Sequence, residues 1–317
     1  MNYLYGLSHG IPIQNGGATT FKSYKDGYII SFADVLRVYD NQFRLEVQIE
    51  HIKRHSDSYI TSIEPNDEDD SLYVGYSDGY LCKYQFPGGL LVKQRTMPFR
   101  VTGVAFDESN NLVIVWGSYC ELWFLDQRSL DKVQGMPVND WPMAVPLLDG
   151  KVLSVTRSGQ LSEYIIRRNS IKEKISRQDI KQNVDILFGG PVRAKEPVVD
   201  IKRVGEFSWV VAQKYGWVLL RWQSGELMQE ISSGATSKIK SVITCDENDT
   251  FGVLEESDKV VWVSRGQVVP VDPIWPKEAR LIGVVCRAGT LLALVEDTDL
   301  VFYSCALAKS FEWVATG

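Results

Sequence analysis

Residues 71–86 read Ser71-Leu-Tyr-Val-Gly-Tyr-Ser-Asp-Gly-Tyr-Leu-Cys-Lys-Tyr-Gln-Phe86. A mostly apolar run, a Ser-Asp-Gly turn and a second apolar run ending in an aromatic predict two antiparallel strands joined tightly. On one side of this pair, Tyr59–Ile63 leads into the acidic turn Glu64-Pro-Asn-Asp-Glu-Asp-Asp70; on the other, Pro87-Gly-Gly89 leads into Leu90–Arg95. Together these make a unit of four strands linked by three turns rich in Asp, Asn, Gly and Pro.

Turn plus strand ending in a bulky residue recurs along the whole chain. The copies end at Tyr39, Tyr84, Leu125, Tyr164, Trp222, Val263 and Tyr303, separated by 45, 41, 39, 58, 41 and 40 residues. A period near forty, built from strands alone, is the spacing of propeller blades. The third unit reads as Val101–Phe106, Leu112–Trp116, Glu121–Leu125 and Lys132–Met136, with Asp107-Glu-Ser-Asn-Asn111 repeating the acidic turn. In the sixth, Lys240–Cys245, the turn Asp246–Asp249, Phe251–Leu254 and Val260–Val263 follow the same order. Second strands such as Leu112-Val-Ile-Val-Trp116 and Thr290-Leu-Leu-Ala-Leu-Val295 are continuous apolar runs, which predicts cover on both faces. The aromatic strand ends Tyr39, Tyr84, Tyr164, Trp222 and Trp262 are expected in the core between blades.

The chain has 317 residues, a hydrophobic share of 44%, a charged share of 23% and a net charge of −6. That length supports a core needing neither disulfide nor metal, and the acidic balance argues against wholesale nucleic-acid binding. Cys82, Cys120, Cys245, Cys286 and Cys305 fall in or beside predicted strands without a Cys-x-x-Cys pair, so buried free thiols in a reducing compartment are expected. No signal-peptide pattern and no membrane-length apolar run is visible, so the expected location is intracellular, cytoplasmic or nuclear, with no membrane partner.

Val38-Tyr39-Asp40, Leu125-Asp126 and the Ser-Asp-Gly turn at 77–79 resemble the WD-repeat family, whose strands carry Trp-Asp at the first two places. The resemblance implies an all-β, seven-bladed propeller of four-stranded antiparallel blades, spanning 1–317 as one domain, and a scaffold role. No Trp-Asp pair and no Gly-His dipeptide is present, so the family's buried His–Asp network does not transfer. Either Leu4–Leu7 or Phe311–Val314 could close the ring; the N-terminal strand is favoured. By the family's register, the residue before each first strand opens on one face around the channel. Those positions are Tyr59, Arg100, Trp141, Pro197, Lys238 and Arg280, with Trp275 in a loop entering the same face. Aromatics and cations suit a protein segment that is acidic or phosphorylated.

The gap of 58 residues places an insertion near 177–197, between the fourth and fifth blades. With Arg167, Arg168 and Lys172 before it, this region is a secondary basic surface, and a nucleic-acid-associated subunit is the alternative reading. A propeller enzyme with a channel site is a further alternative. Against it, only His9, His51 and His55 occur; His51 and His55 would stand about 13 Å apart on a strand, too far for one metal. Asp67–Asp70 and Asp246–Asp249 lack calcium-loop spacing, and neither phosphate-loop signature is present. The sequence therefore points to a non-catalytic scaffold with no cofactor and no metal.

Overall fold

The computed structural model describes residues 18–306 except 26, 51–56, 87, 139, 147–149, 159–160, 168–169, 175–196, 224–225, 236, 246–249, 258, 265–266, 272–279, 288–289 and 297–299. Strands β1 (Ala18–Tyr24), β2 (Gly27–Phe32), β3 (Val35–Tyr39) and β4 (Leu45–Glu50) form the first sheet. The second holds β5 (Ile60–Asn66), β6 (Ser71–Tyr76), β7 (Tyr80–Gln85) and β8 (Leu90–Thr96). The third holds β9 (Val101–Asp107), β10 (Leu112–Gly117), β11 (Glu121–Asp126) and β12 (Lys132–Pro137), and the fourth β13 (Pro142–Pro146), β14 (Lys151–Thr156), β15 (Leu161–Arg167) and β16 (Ser170–Lys174). β17 (Val198–Gly205), β18 (Ser208–Gln213), β19 (Gly216–Gln223) and β20 (Glu226–Gly234) make the fifth. β21 (Ile239–Thr244), β22 (Thr250–Glu255), β23 (Val260–Ser264) and β24 (Gln267–Val271) make the sixth, and β25 (Arg280–Arg287), β26 (Thr290–Glu296) and β27 (Leu300–Ala306) the last.

Each sheet is an antiparallel meander in chain order, the blade that the repeat predicts. The number differs from expectation: six blades are four-stranded, not seven, and the seventh repeat is a three-stranded sheet among the described residues. The two candidates for closing the ring, Leu4–Leu7 and Phe311–Val314, both lie outside the described residues.

Two compact units divide the chain, 53–242 and 1–52 with 243–317. In the first, consecutive sheets stack face to face. Tyr73 and Leu81 of the second sheet pack with Val104, Val113 and Leu125 of the third. Ile114 and Phe124 of the third meet Val152 and Tyr164 of the fourth, and Leu153 and Val155 of the fourth meet Trp209 and Val211 of the fifth. First strands of successive sheets are neighbours along β5, β9, β13 and β17. Within the other unit, Leu254 and Trp262 of the sixth sheet pack on Leu291 and Ala293 of the last, and Phe21 and Ile30 of the first sheet pack on Val285 and Leu294. Stacking covers second strands on both faces, so every residue of β6, β18 and β22 is buried. Tyr39, Tyr84, Tyr164 and Trp262 are buried as expected, while Trp222 is only half-buried, with the Lys151 ammonium 4.4 Å from its ring centre.

The turns explain the acidic residues. At Asp40 and Asp126 the carboxylate accepts main-chain N–H groups of the following turn. Asp40 takes those of Gln42 and Arg44, and Asp126 those of Arg128 and Ser129. These backbone donors hold both carboxyls below their ordinary range. Gly79 closes the Ser-Asp-Gly turn at φ +89°, where an added Cβ would also stand 2.8 Å from the Met97 carbonyl.

A polar node joins the second and third blades. Asp69 accepts from Lys83 Nζ (2.7 Å), from Gln127 Nε2 (3.3 Å) and from the Ser71 hydroxyl. The Gln127 carbonyl accepts from Lys83 (3.4 Å) and from the Tyr73 hydroxyl (3.1 Å). Burial pushes the Asp69 carboxyl up, but the Lys83 and Ser71 hydrogen bonds outweigh it and leave the group below its ordinary value.

Candidate functional site

Loops between blades and turns between second and third strands share one end of each sheet, because both follow strands running the same way. A single main-chain hydrogen bond ties them together and recurs in four blades. Ser77 N–H donates to the Tyr59 carbonyl (2.9 Å), Ser118 to Arg100 (3.2 Å), Arg157 to Trp141 (2.8 Å) and Lys214 to Pro197 (3.1 Å). Tyr59, Arg100, Trp141 and Pro197 are thus equivalent positions, each directly before a first strand, as the register predicts. Lys238 stands likewise before β21 and is half-buried. Two further bonds stitch blade to blade at this end: Val198 N–H to the Arg157 carbonyl and Ile239 N–H to that of Lys214.

On this frame, three exposed aromatics each carry a cation against a ring face. The Arg100 guanidinium lies 5.1 Å from the centre of Tyr59, Arg157 lies 5.4 Å from Trp141, and Lys214 lies 5.2 Å from Tyr215. Tyr59, Trp141 and Tyr215 keep 39%, 49% and 38% of their surface open, although rings of this size are usually buried. The corners are held firmly. Asp140 accepts from Trp141 N–H and Ser158 N–H, both at 2.8 Å, and Ser77 Oγ accepts from Tyr59 N–H (3.0 Å). A stacked guanidinium keeps its in-plane N–H donors for a carboxylate or phosphate, while the open ring face offers apolar contact. Tyr119, 60% exposed in the equivalent turn of the third blade, adds a fourth aromatic at this end.

Other expected site residues fall elsewhere. Arg280 is not before its first strand but is the first residue of β25, where it stands opposite Glu296 and pairs with its carboxylate at 2.6 Å. Its side chain nonetheless keeps 60% of its surface exposed. Trp275 and Arg168 lie outside the described residues, as do His9, His51, His55 and the segment 175–196. Arg167 and Lys172 belong to the β15–β16 hairpin that completes the fourth blade, so this part of the basic stretch is blade and not insertion. Arg157, Lys214, Tyr215 and Tyr119 were not among the sequence candidates. Their signal was their place in the turn after each second strand, the partner turn of the positions already chosen.

Of the cysteines, Cys82 and Cys286 are buried, Cys245 is half-buried and Cys120 is exposed, contrary to the expectation that all would be covered. Cys120 lies in the turn between β10 and β11, at the end of the sheet and not within a strand. Among the described residues, no three His, Cys, Asp or Glu side chains converge as a metal-binding group, and no helix is long and apolar enough to cross a membrane.

No protein-family model and no curated protein sequence matches the chain. Solved structures do. The chain is similar to Raptor of Chaetomium thermophilum at 14% identity and a TM-score of 0.69 over 94% of its own length, but spans only 29% of that protein. It is similar to a chain of the Mitotic Checkpoint Complex at 10% identity and a TM-score of 0.69, covering 96% of this chain and 91% of the other. The β-propeller domain of Cps50 (Swd1) from Myceliophteria thermophila matches at 11% identity with a TM-score of 0.71, covering 96% of this chain and 99% of that domain. At such identities the likeness carries the architecture alone, and that architecture is an all-β propeller of four-stranded antiparallel blades.

Proposed function

We propose that this chain is a non-catalytic interaction scaffold of the WD-repeat type, an intracellular subunit of a multiprotein complex. It binds a peptide segment of a partner on the turn end that carries Tyr59, Arg100, Trp141, Arg157, Lys214, Tyr215 and Lys238. The observation behind this reading is the set of three open aromatic rings, each under a cation and fixed on main-chain bonds. Open aromatics beside arginine are the usual anchors of protein interfaces. The charge of Arg100, Arg157, Lys214 and Lys238 favours a segment that is acidic or phosphorylated, because each carboxylate or phosphate gains charge-assisted hydrogen bonds there. That one similarly folded chain belongs to the Mitotic Checkpoint Complex supports a place in an assembly.

Affinity capture from the source cells tests the reading, comparing wild type with the variant Arg100→Glu, Trp141→Ala, Arg157→Glu. Thermal melting establishes that the variant is folded. Loss of one defined set of proteins with the variant is the expected result, followed by direct titration of the partner's acidic segment. Unchanged capture at matched stability refutes the assignment of this face.

A further inference from the structure

We propose that the segment bound at the turn end is a proline-rich polyproline II stretch with an acidic side chain at every third place, which rests on the docking face assigned above. That face lies within the compact unit 53–242, and its groups repeat from blade to blade. Ser77, Ser118, Arg157 and Lys214 are equivalent: each follows a second strand directly and donates its N–H to the lead-in position of its own blade. The third, fourth and fifth blades therefore carry one cation each at this bond, Arg100 on the lead-in side and Arg157 and Lys214 on the turn side. An open aromatic accompanies each blade from the second to the fifth, namely Tyr59, Tyr119, Trp141 and Tyr215.

The three cations are unanswered within the chain. Arg100 and Arg157 are exposed and Lys214 is half-buried, and none of these side chains makes a hydrogen bond or ion pair among the described residues. Asp78 and Asp140 share this end, but their carboxylates accept from N–H groups of their own corners, Tyr80 for the first, Trp141 and Ser158 for the second. Spacing then selects the occupant. Sheets stacked face to face lie ~10 Å apart, so cations on consecutive blades repeat at about that distance. A β-strand returns to the same face every ~6.6 Å and falls out of step with such a row. In a polyproline II helix every third side chain faces the same way, at a pitch of ~9.3 Å. Proline-rich segments also dock on aromatic-lined surfaces and are ordered before they bind, which suits the ring beside each cation. An α-helix covers the same distance in about seven residues and is the rival geometry.

The test is fluorescence anisotropy with four labelled peptides: three repeats of Glu-Pro-Pro, an isomer with its glutamates adjacent, three repeats of Lys-Pro-Pro, and an alanine-rich helix with glutamate at every seventh place. The spaced glutamate peptide is expected to bind roughly tenfold more tightly than its isomer, which can reach one cation where the spaced peptide reaches three. The lysine peptide should not bind. Arg157→Ala, in the middle of the row, should weaken the spaced peptide about three- to fivefold and remove most of its advantage over the isomer. Arg128→Ala takes an exposed cation from the β11–β12 turn, at the other end of its sheet, and should change nothing. Thermal melting establishes that both variants are folded. Isomers that bind alike, or a helical peptide that binds more tightly than the spaced one, overturn the proposal; if Arg157→Ala still weakens them, the docking face stands and only the spacing falls. Binding by none of the peptides overturns it as well. Affinity capture then separates the two ideas: partners lost with Arg100→Glu, Trp141→Ala, Arg157→Glu keep the face, and unchanged capture ends both.

Discussion

Replacing Lys83 by methionine removes one cation from the node between the second and third blades and keeps the length of the stem. The Lys83 side chain is 12% exposed and Asp69 is 32% exposed, so the pair lies between a surface and a buried ion pair. Exposed pairs contribute about 0–1 kcal/mol, and breaking a buried pair costs about 3–5 kcal/mol. Asp69 keeps Ser71 and Gln127 after the substitution, and its partial exposure lets water replace the ammonium. We therefore expect a loss of about 2 kcal/mol at pH 7, near 3 °C in melting temperature for a chain of this length. Its pH dependence identifies the cause. The Asp69 pKa is lowered from 3.8, so its contribution is complete above that value and disappears as pH falls through the lower folded-state pKa. The deficit of Lys83→Met should accordingly shrink below pH 3.8, and Asp69→Asn combined with Lys83→Met should cost less than the sum of the single changes. Urea unfolding at pH 7 and at pH 3 measures both. A deficit under about 0.5 kcal/mol, or one equal at both pH values, would falsify the account of the node.

Trp141→Ala should weaken partner binding and, because the other half of the ring is covered in the folded chain, also cost up to about 3 kcal/mol of stability. The open 49% of a ring of roughly 250 Å² is about 120 Å², up to ~3 kcal/mol or about a hundredfold in Kd by isothermal titration. Gly117→Ala should cost roughly 2–3 kcal/mol in urea unfolding, because its Cβ would press into the Arg100 carbonyl and the Phe99 ring. Arg280→Gln should lower stability by no more than about 1 kcal/mol through loss of the exposed Glu296 pair, and leave partner capture intact. Mass mapping after brief thiol labelling at pH 8 should find Cys120 modified and Cys82 untouched, since burial pushes the Cys82 thiol up to about 12.

The blades were legible because they are written locally. Alternation, continuous apolar second strands and turn residues placed β6 at Ser71–Tyr76 without error, and the starts of β7, β8, β9, β10, β11 and β12 to the residue. The lead-in positions Tyr59, Arg100 and Trp141 followed from the same register. What escaped needed folding across sequence distance. Arg157 reaches Trp141 only because a hairpin brings the two together, and Asp69 meets Gln127 across 58 residues. The pairing of Arg280 with Glu296 likewise depends on the next strand. The exposure of Cys120 depends on what packs against its turn, which a strand pattern does not record.

The hydrogen bond repeated at Tyr59, Arg100, Trp141 and Pro197 has a consequence for how such a protein changes over time. It is made entirely by the backbone, so the fold asks nothing of the side chain at that position, and the chain already places a phenol, a guanidinium, an indole and a pyrrolidine there. Recognition and folding are thereby uncoupled at the places where a partner would touch. Mutation can rewrite the address presented at this end of the blades while their main-chain frame stays fixed.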